Sequence, residues 1–194
     1  LYYNGTDWVA LSPGTSGQFL KTNGASANPA WADASGGGGT GDLLDWQFVR
    51  KTSDESISNT TNQDDDQLAL SVSANDTWQF DILLFVTNAA NTADIKVNFT
   101  VPSGATVSWV GSGYAPNGTT QETNRHIARF QSTSQFGIGV LQSATEAASH
   151  VRISGLYIGG ANAGTLQLQW AQAATDGSNA TVVKADSYLM ARRF

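Results

Sequence analysis

From residue 45 onward the hydrophobic residues recur at every second position. Leu68, Leu70 and Val72 form one such set; Trp78, Phe80, Ile82, Leu84 and Val86 a second; Ile95, Val97, Phe99 and Val101 a third; Leu166, Leu168 and Trp170 a fourth. Between Asp94 and Val101 the alternation is unbroken. A period of two sends one set of side chains to a core and the other to water, the signature of half-buried antiparallel strands. Further strands are expected near 46–51, 106–111, 126–132, 136–142, 150–158, 181–185 and 187–193. The apolar phase changes at Gly155, where Val151 and Ile153 share one parity and Leu156 and Ile158 the other, so a β-bulge is expected there. In Asp81–Val86 both parities are apolar; Leu83 and Phe85 are then covered either by a second sheet or loop, or by a neighbouring subunit. No window supports a long amphipathic helix, and only Gln142–Ser149 has the composition for a turn or two of one. About ten or eleven strands separated by Gly, Asn, Ser and Thr turns predict an all-β chain, an antiparallel β-sandwich of the jelly-roll kind.

The first 34 residues follow a different rhythm. Leu1–Tyr3 and Trp8–Leu11 flank Asn4-Gly5, the dipeptide best suited to two successive positive φ values, so a tight hairpin is expected. Gln18–Lys21 is a second short strand, Asn23-Gly24 another turn, and Pro29-Ala30-Trp31 closes the unit. A segment this short and turn-rich cannot build a core alone and is expected to be ordered against copies of itself. The spacer Ser35–Gly41 separates it from the rest. The expected organisation is therefore a hairpin module at 1–34, a glycine-rich linker at 35–41 and a sandwich at 42–194. The absence of an initial methionine, with no signal peptide visible, makes Leu1 the expected first residue of a visible part of a longer polypeptide.

Composition narrows the function classes. The chain has 194 residues, 40% hydrophobic and 13% charged, which is a globular rather than disordered composition. A net charge of -6 with ten Lys and Arg argues against nucleic acid or an anionic membrane as partner. The densest basic pair, Arg192-Arg193, reads as the solvated end of a strand. There is no cysteine, which removes disulfides and thiolate chemistry. No apolar run reaches the roughly 18–20 residues that span a bilayer, so no membrane insertion is expected.

Groups for catalysis are few. His126 and His150, the only histidines, sit in strand-like contexts beside arginines and read as solvent-facing or interface residues. No nucleophile elbow, phosphate loop or zinc-ligand spacing appears. Paired acids for glycoside cleavage would have to come from Asp54, Glu55, Asp81, Asp94, Glu122 and Glu146, and nothing in the spacing brings two of them together. Asp64, Asp65 and Asp66 are the only candidates for a hard cation such as calcium, but a solvated loop entering the strand at Gln67 is preferred, and no metal or cofactor is expected. The more promising surface is the long polar segment 108–124. Trp109, Tyr114, Asn117, Thr119, Gln121 and Asn124 offer rings and adaptable hydrogen-bonding groups suited to a sugar or protein surface. A plain connector or a subunit contact is the competing reading of that segment.

Two stretches resemble known proteins. "NGTDWV" followed by "GTSGQFLKTNGASANPAWAD" is similar to the small module that recurs in tail fibres and other trimeric appendages of bacteriophages. "DDDQLALSVSANDTWQFDILLFV", "DIKVNFTVPSGA", "GTLQLQWAQ" and "VKADSYLMARRF" resemble the C-terminal β-sandwich of phage structural proteins. The second resemblance implies a homotrimeric head of the tumour-necrosis-factor-like arrangement. Together they imply a non-enzymatic virion protein, an exposed fibre or spike. Its head would contact a host surface glycan or protein, and its N-terminal region would meet other virion proteins. A capsid-decorating head fibre is the alternative, and a polysaccharide depolymerase a third and less favoured one.

Overall fold

The computed structural model describes residues 1–24, 27–33, 46–90, 93–114, 125–131, 136–140 and 149–194, with the backbone alone described over 125–131 and at 136. The chain divides into two units, Leu1–Leu44 and Asp45–Phe194. Among the described residues the regular structure is all strand, and the strand pairs are antiparallel. The expected spacer at 35–41 lies outside the described residues, as do 142–148 of the expected helical turns at Gln142–Ser149, while Ser149 itself opens a strand.

In the first unit β1 (Tyr2–Tyr3) pairs with β2 (Trp8–Val9), and β3 (Gln18–Lys21) with β4 (Ala30–Asp33). The first hairpin departs from the expected turn, because only Gly5 has a positive φ, at 102°. Asn4 acts through its side chain instead: Oδ1 accepts the amides of Thr6 and Asp7 at 2.9 and 2.8 Å, while its own N–H donates to the Asp7 carbonyl. The asparagine thus closes a four-residue loop as an Asx cap and leaves the left-handed backbone to glycine. Trp31 fixes the loop before β3 by donating its indole N–H to the Ser12 carbonyl at 2.6 Å. Gly14 makes room for that ring, since a Cβ there would lie 2.6 Å from it. Leu1, Tyr3, Trp8, Phe19, Leu20 and Trp31 all remain exposed, so the described residues of this unit form hairpins without a buried core.

The second unit comprises β5 (Trp46–Arg50), β6 (Glu55–Ile57), β7 (Gln63–Val72), β8 (Thr77–Asn88), β9 (Ile95–Thr100), β10 (Thr106–Tyr114), β11 (Arg125–Gln131), β12 (Phe136–Ile138), β13 (Ser149–Ile158), β14 (Gly164–Gln172), β15 (Thr181–Val183) and β16 (Tyr188–Arg193). Four of them form one sheet in the order β12-β9-β14-β7; the other sheet contains the path β11-β10-β13-β8. From β7 to β14 the chain therefore passes back and forth between two sheets, the double Greek-key winding of a jelly roll. The large sheet continues beyond β8. β15 and β16 lie end to end along β8, with β6 and β5 outside them, which brings that sheet to eight strands. The alternating residues singled out in the sequence meet between the layers: Leu68, Phe80, Leu84, Ile95, Phe99, Ile153, Leu166, Leu168 and Trp170 are fully or almost fully buried in one core.

Gly155 does not mark a bulge. β13 keeps an unbroken register with β8 from Ser149 to Ile158, and Val151, Ile153, Gly155 and Tyr157 all face the core. Leu156 and Ile158 simply point outward. Gly155 lies between Phe80 and Trp109 on the adjacent strands, and a Cβ there would stand 2.4 Å from Phe80 Cζ and 2.8 Å from the Ser108 carbonyl. Its missing side chain is the space the Phe80 ring occupies. Gly155→Ala should accordingly overpack the core and lower stability by about 1–3 kcal/mol, measurable as a fall in the urea midpoint at constant slope.

The irregularity lies instead in β7, where the pairing with β14 jumps from Ala69↔Gln167 to Asp64↔Gln169. Asp64, Asp65 and Asp66 are thus part of a strand and not of a loop before it. At the jump Asp65 turns inward and accepts the amides of Gln67 and Leu68 at 3.0 and 2.7 Å and the Trp170 indole N–H at 3.1 Å. Lys51, itself 1% exposed, donates to both Asp65 oxygens at 2.9 Å and to Glu55 at 2.6 Å. A buried ammonium thereby ties the β5–β6 corner to the bulge of β7.

Candidate interaction surface

Register decides what the outer face of the large sheet displays. One transverse row reads Phe48, Met190, Asp81, Ser154, Val110; the next reads Trp46, Arg192, Gln79, Leu156, Ser108; a third reads Arg50, Tyr188, Leu83, Arg152, Ser112. The centre is polar, with Asp81 held by the Ser154 hydroxyl and 3.9 Å from Arg152. Both flanks are apolar. On one side Phe48 packs tilted against Tyr188 at 5.5 Å, with Trp46 outward on the same strand; on the other lie Leu156, Ile158 and Val110.

The distribution is one-sided. In the second unit the exposed large hydrophobics among the described residues are Trp46, Phe48, Val110, Leu156, Ile158 and Phe194; the first five lie on strands of this sheet and Phe194 directly follows β16, with Phe48 63% and Phe194 66% exposed. The outward positions of the four-stranded sheet carry Lys96, Asn98, Thr100, Thr165, Gln167 and Gln169. Clustered exposed apolar area on one face, with a polar opposite face, is how a protein presents an interface. Leu83 and Phe85 also lie on this face, where both are half-buried beside cross-strand neighbours Tyr188, Arg152 and His150.

The candidates from the sequence separate here. Trp109 leaves the set of contact residues: it is 1% exposed, with its ring edge-on to Phe99 at 5.3 Å, because its position on β10 has inward parity. Tyr114 has outward parity at the end of β10, half-buried and edge-on to the exposed His150 at 6.1 Å, and so adjoins the apolar face. Asn117, Thr119, Gln121 and Asn124 lie outside the described residues, as do Glu122, Glu146 and the His126 side chain.

Among the described acidic candidates Glu55 and Asp65 converge, both on the Lys51 ammonium at 2.6 and 2.9 Å, and the rest do not. Asp64 accepts from Gln169, Asp65 from Lys51, and Asp66 is exposed; alternate parity on a strand turns neighbours to opposite faces. Among the described residues no group of three metal-ligating side chains comes together. Asp54 pairs with Lys184 and the Ala185 amide, Asp81 with Ser154, and Asp94 with the Val140 amide, so each serves a different local structure. Lys184 and the Ala185 amide hold the Asp54 carboxyl below its ordinary range, while burial pushes that of Glu55 up. Parity along the strands was the signal in the sequence for the apolar face; Trp46 and Phe48 alternate with Gln47 and Val49, but which sheet they faced depended on pairing with β16.

No protein-family model matches the chain, and no curated protein does. Solved structures similar to it include that of the infectious bursal disease virus Gt strain, at 12% identity, covering 91% of this chain and 47% of that one with a TM-score of 0.22. The VP2 subviral particle of infectious bursal disease virus is similar at 11% identity, with 91% and 46% coverage and a TM-score of 0.22. This chain thus spans about half the length of the structures it matches. At those scores the likeness carries no argument, and the jelly-roll assignment rests on strand order.

Proposed function

We propose that this chain is a non-enzymatic structural and adhesive component of a bacteriophage virion, part of a trimeric fibre or spike whose sandwich is the exposed head. The observation that carries the reading is the one-sided apolar face of the large sheet. A face bearing Trp46, Phe48, Leu156 and Ile158 in water is a poor surface for an isolated domain and a good one for packing against further copies. The first unit points the same way: its hairpins expose six large apolar side chains and gain a core only from partner chains. The number three comes from the resemblance to phage appendages. In this reading the N-terminal unit joins the rest of the virion, and the head meets a host surface glycan or protein.

Light scattering on the chain at micromolar concentration tests the assembly. The expected mass is that of three copies of 20.4 kDa, and Phe48→Glu combined with Ile158→Glu should weaken the association, lowering the mass at equal concentration while the circular dichroism stays that of a β-protein. A wild-type monomer would sink the reading. Adsorption competition separates host attachment from shell decoration: a receptor-binding head blocks infection when added in excess, and a decoration protein does not.

A further inference from the structure

We infer that the cleft between β5 and β7, at the open edge of the sandwich, is a binding site for a single neutral sugar residue. The cleft has a volume of about 380 Å³ and is bordered by Gln47, Ser71, Ser73, Asp76, Trp78 and Arg193 among others. That size falls at the small end of ligand sites, roughly 300–1,000 Å³.

The chemistry of the border selects the ligand. Asp76 is held in place, its Oδ2 accepting the Ser73 amide at 2.9 Å and the Trp78 indole N–H at 3.2 Å. Its Oδ1 stands 3.6 Å from Arg193 Nη1, beyond a direct hydrogen bond, so this oxygen keeps acceptor capacity toward the cleft. Arg193 lies over the Trp78 ring at 6.0 Å, a contact that stiffens its long side chain. Trp78 itself is 4% exposed, so the flat surface offered to a ligand is the guanidinium and not the indole.

A fixed carboxylate beside a fixed guanidinium is a donor–acceptor pair of zero net charge. Vicinal hydroxyls, each both donor and acceptor, match such a pair, whereas an anion meets Asp76 and a cation meets Arg193. Ser71, Ser73 and Gln47, all exposed, add groups that both donate and accept. Among the residues bordering the cleft Asp76 is the single carboxylate, whereas glycoside cleavage uses a pair, so the arrangement suits binding. The inference deepens the adhesive reading, on which its biological meaning rests, but the binding measurement is independent of adsorption.

The test is a ¹⁵N NMR titration of the whole chain with glucose, galactose, N-acetylglucosamine and rhamnose, with glycerol as the acyclic control. At least one sugar should shift the Trp78 indole and Gln47 side-chain amide signals, saturating with a Kd of about 1–30 mM. Ser71→Tyr, which fills the cleft from an exposed position, should abolish those shifts while leaving the remaining spectrum dispersed. Absence of shifts up to about 100 mM with all four sugars overturns the proposal. So do shifts that glycerol reproduces or that survive Ser71→Tyr. Because no host cell enters the experiment, failure of the cleft and failure of host attachment are read separately.

Discussion

Replacing Lys51 by methionine is expected to destabilise the large domain by about 3–5 kcal/mol, read as a lower midpoint in urea at unchanged slope. Methionine fills much of the same volume, so the loss reports charge and hydrogen bonding more than packing. Without the ammonium, Asp65 stays buried as a carboxylate whose other commitments, the amides of Gln67 and Leu68 and the Trp170 indole, hold it in place. Glu55 loses the same partner. The trio carries two negative charges against one positive, and burial raises the Glu55 carboxyl above its ordinary value of 4.5. A raised folded-state pKa means that the proton favours the folded form. Its stabilising contribution is complete below the unfolded value, near 4.5, and is lost as pH rises through the raised folded value. Glu55→Gln keeps an oxygen for Lys51 and for the Asp66 amide but removes the charge, so its stability relative to wild type should improve between pH 4 and pH 7. A difference that instead worsens over that interval would show Glu55 to be held as a favourable carboxylate.

The alternation of hydrophobic residues carried most of the architecture, because each half-buried strand writes its parity into the chain locally. The jelly-roll winding was accessible as a class, but the actual pairing depended on contacts distant in sequence, such as β8 with β16. Two expectations failed for physical reasons that single-strand periodicity cannot express. At Gly155 the phase change came from outward apolar residues belonging to the exposed face, and the glycine itself served a ring from the neighbouring strand. At Asp64–Asp66 the charge run looked solvated, yet β7 bulges there and turns one carboxylate inward to a lysine 14 residues earlier. Buried Lys51 left no local mark in the sequence, since its environment is assembled from β5, β6, β7 and β14. The same limit explains Trp109: an aromatic near a long polar loop suggests a contact residue until strand parity is known.

Trp109→Ala should therefore act on folding and not directly on recognition, with an expected loss of about 3–5 kcal/mol. Trp109 on β10 meets Phe99 on β9 edge-on at 5.3 Å, and Phe99 meets Phe80 on β8 at the same distance, so the three rings cross from one sheet to the other and back. Gly155 lies beneath this cluster between Phe80 and Trp109, and offers no side chain that could swing into a cavity. Truncation thus removes the transfer free energy of a large ring and leaves a void whose walls, including the fully buried Phe80 and Phe99, have little freedom to collapse. Urea unfolding gives the loss directly, and an exposed outward position of the same strand, Val110→Ala, supplies the contrast. The two variants should separate cleanly: Trp109→Ala lowers the midpoint strongly, whereas Val110→Ala leaves it nearly unchanged. Should Trp109→Ala keep the wild-type midpoint while losing attachment to cells, the residue would have to face solvent, and the inward parity assigned to β10 would be wrong.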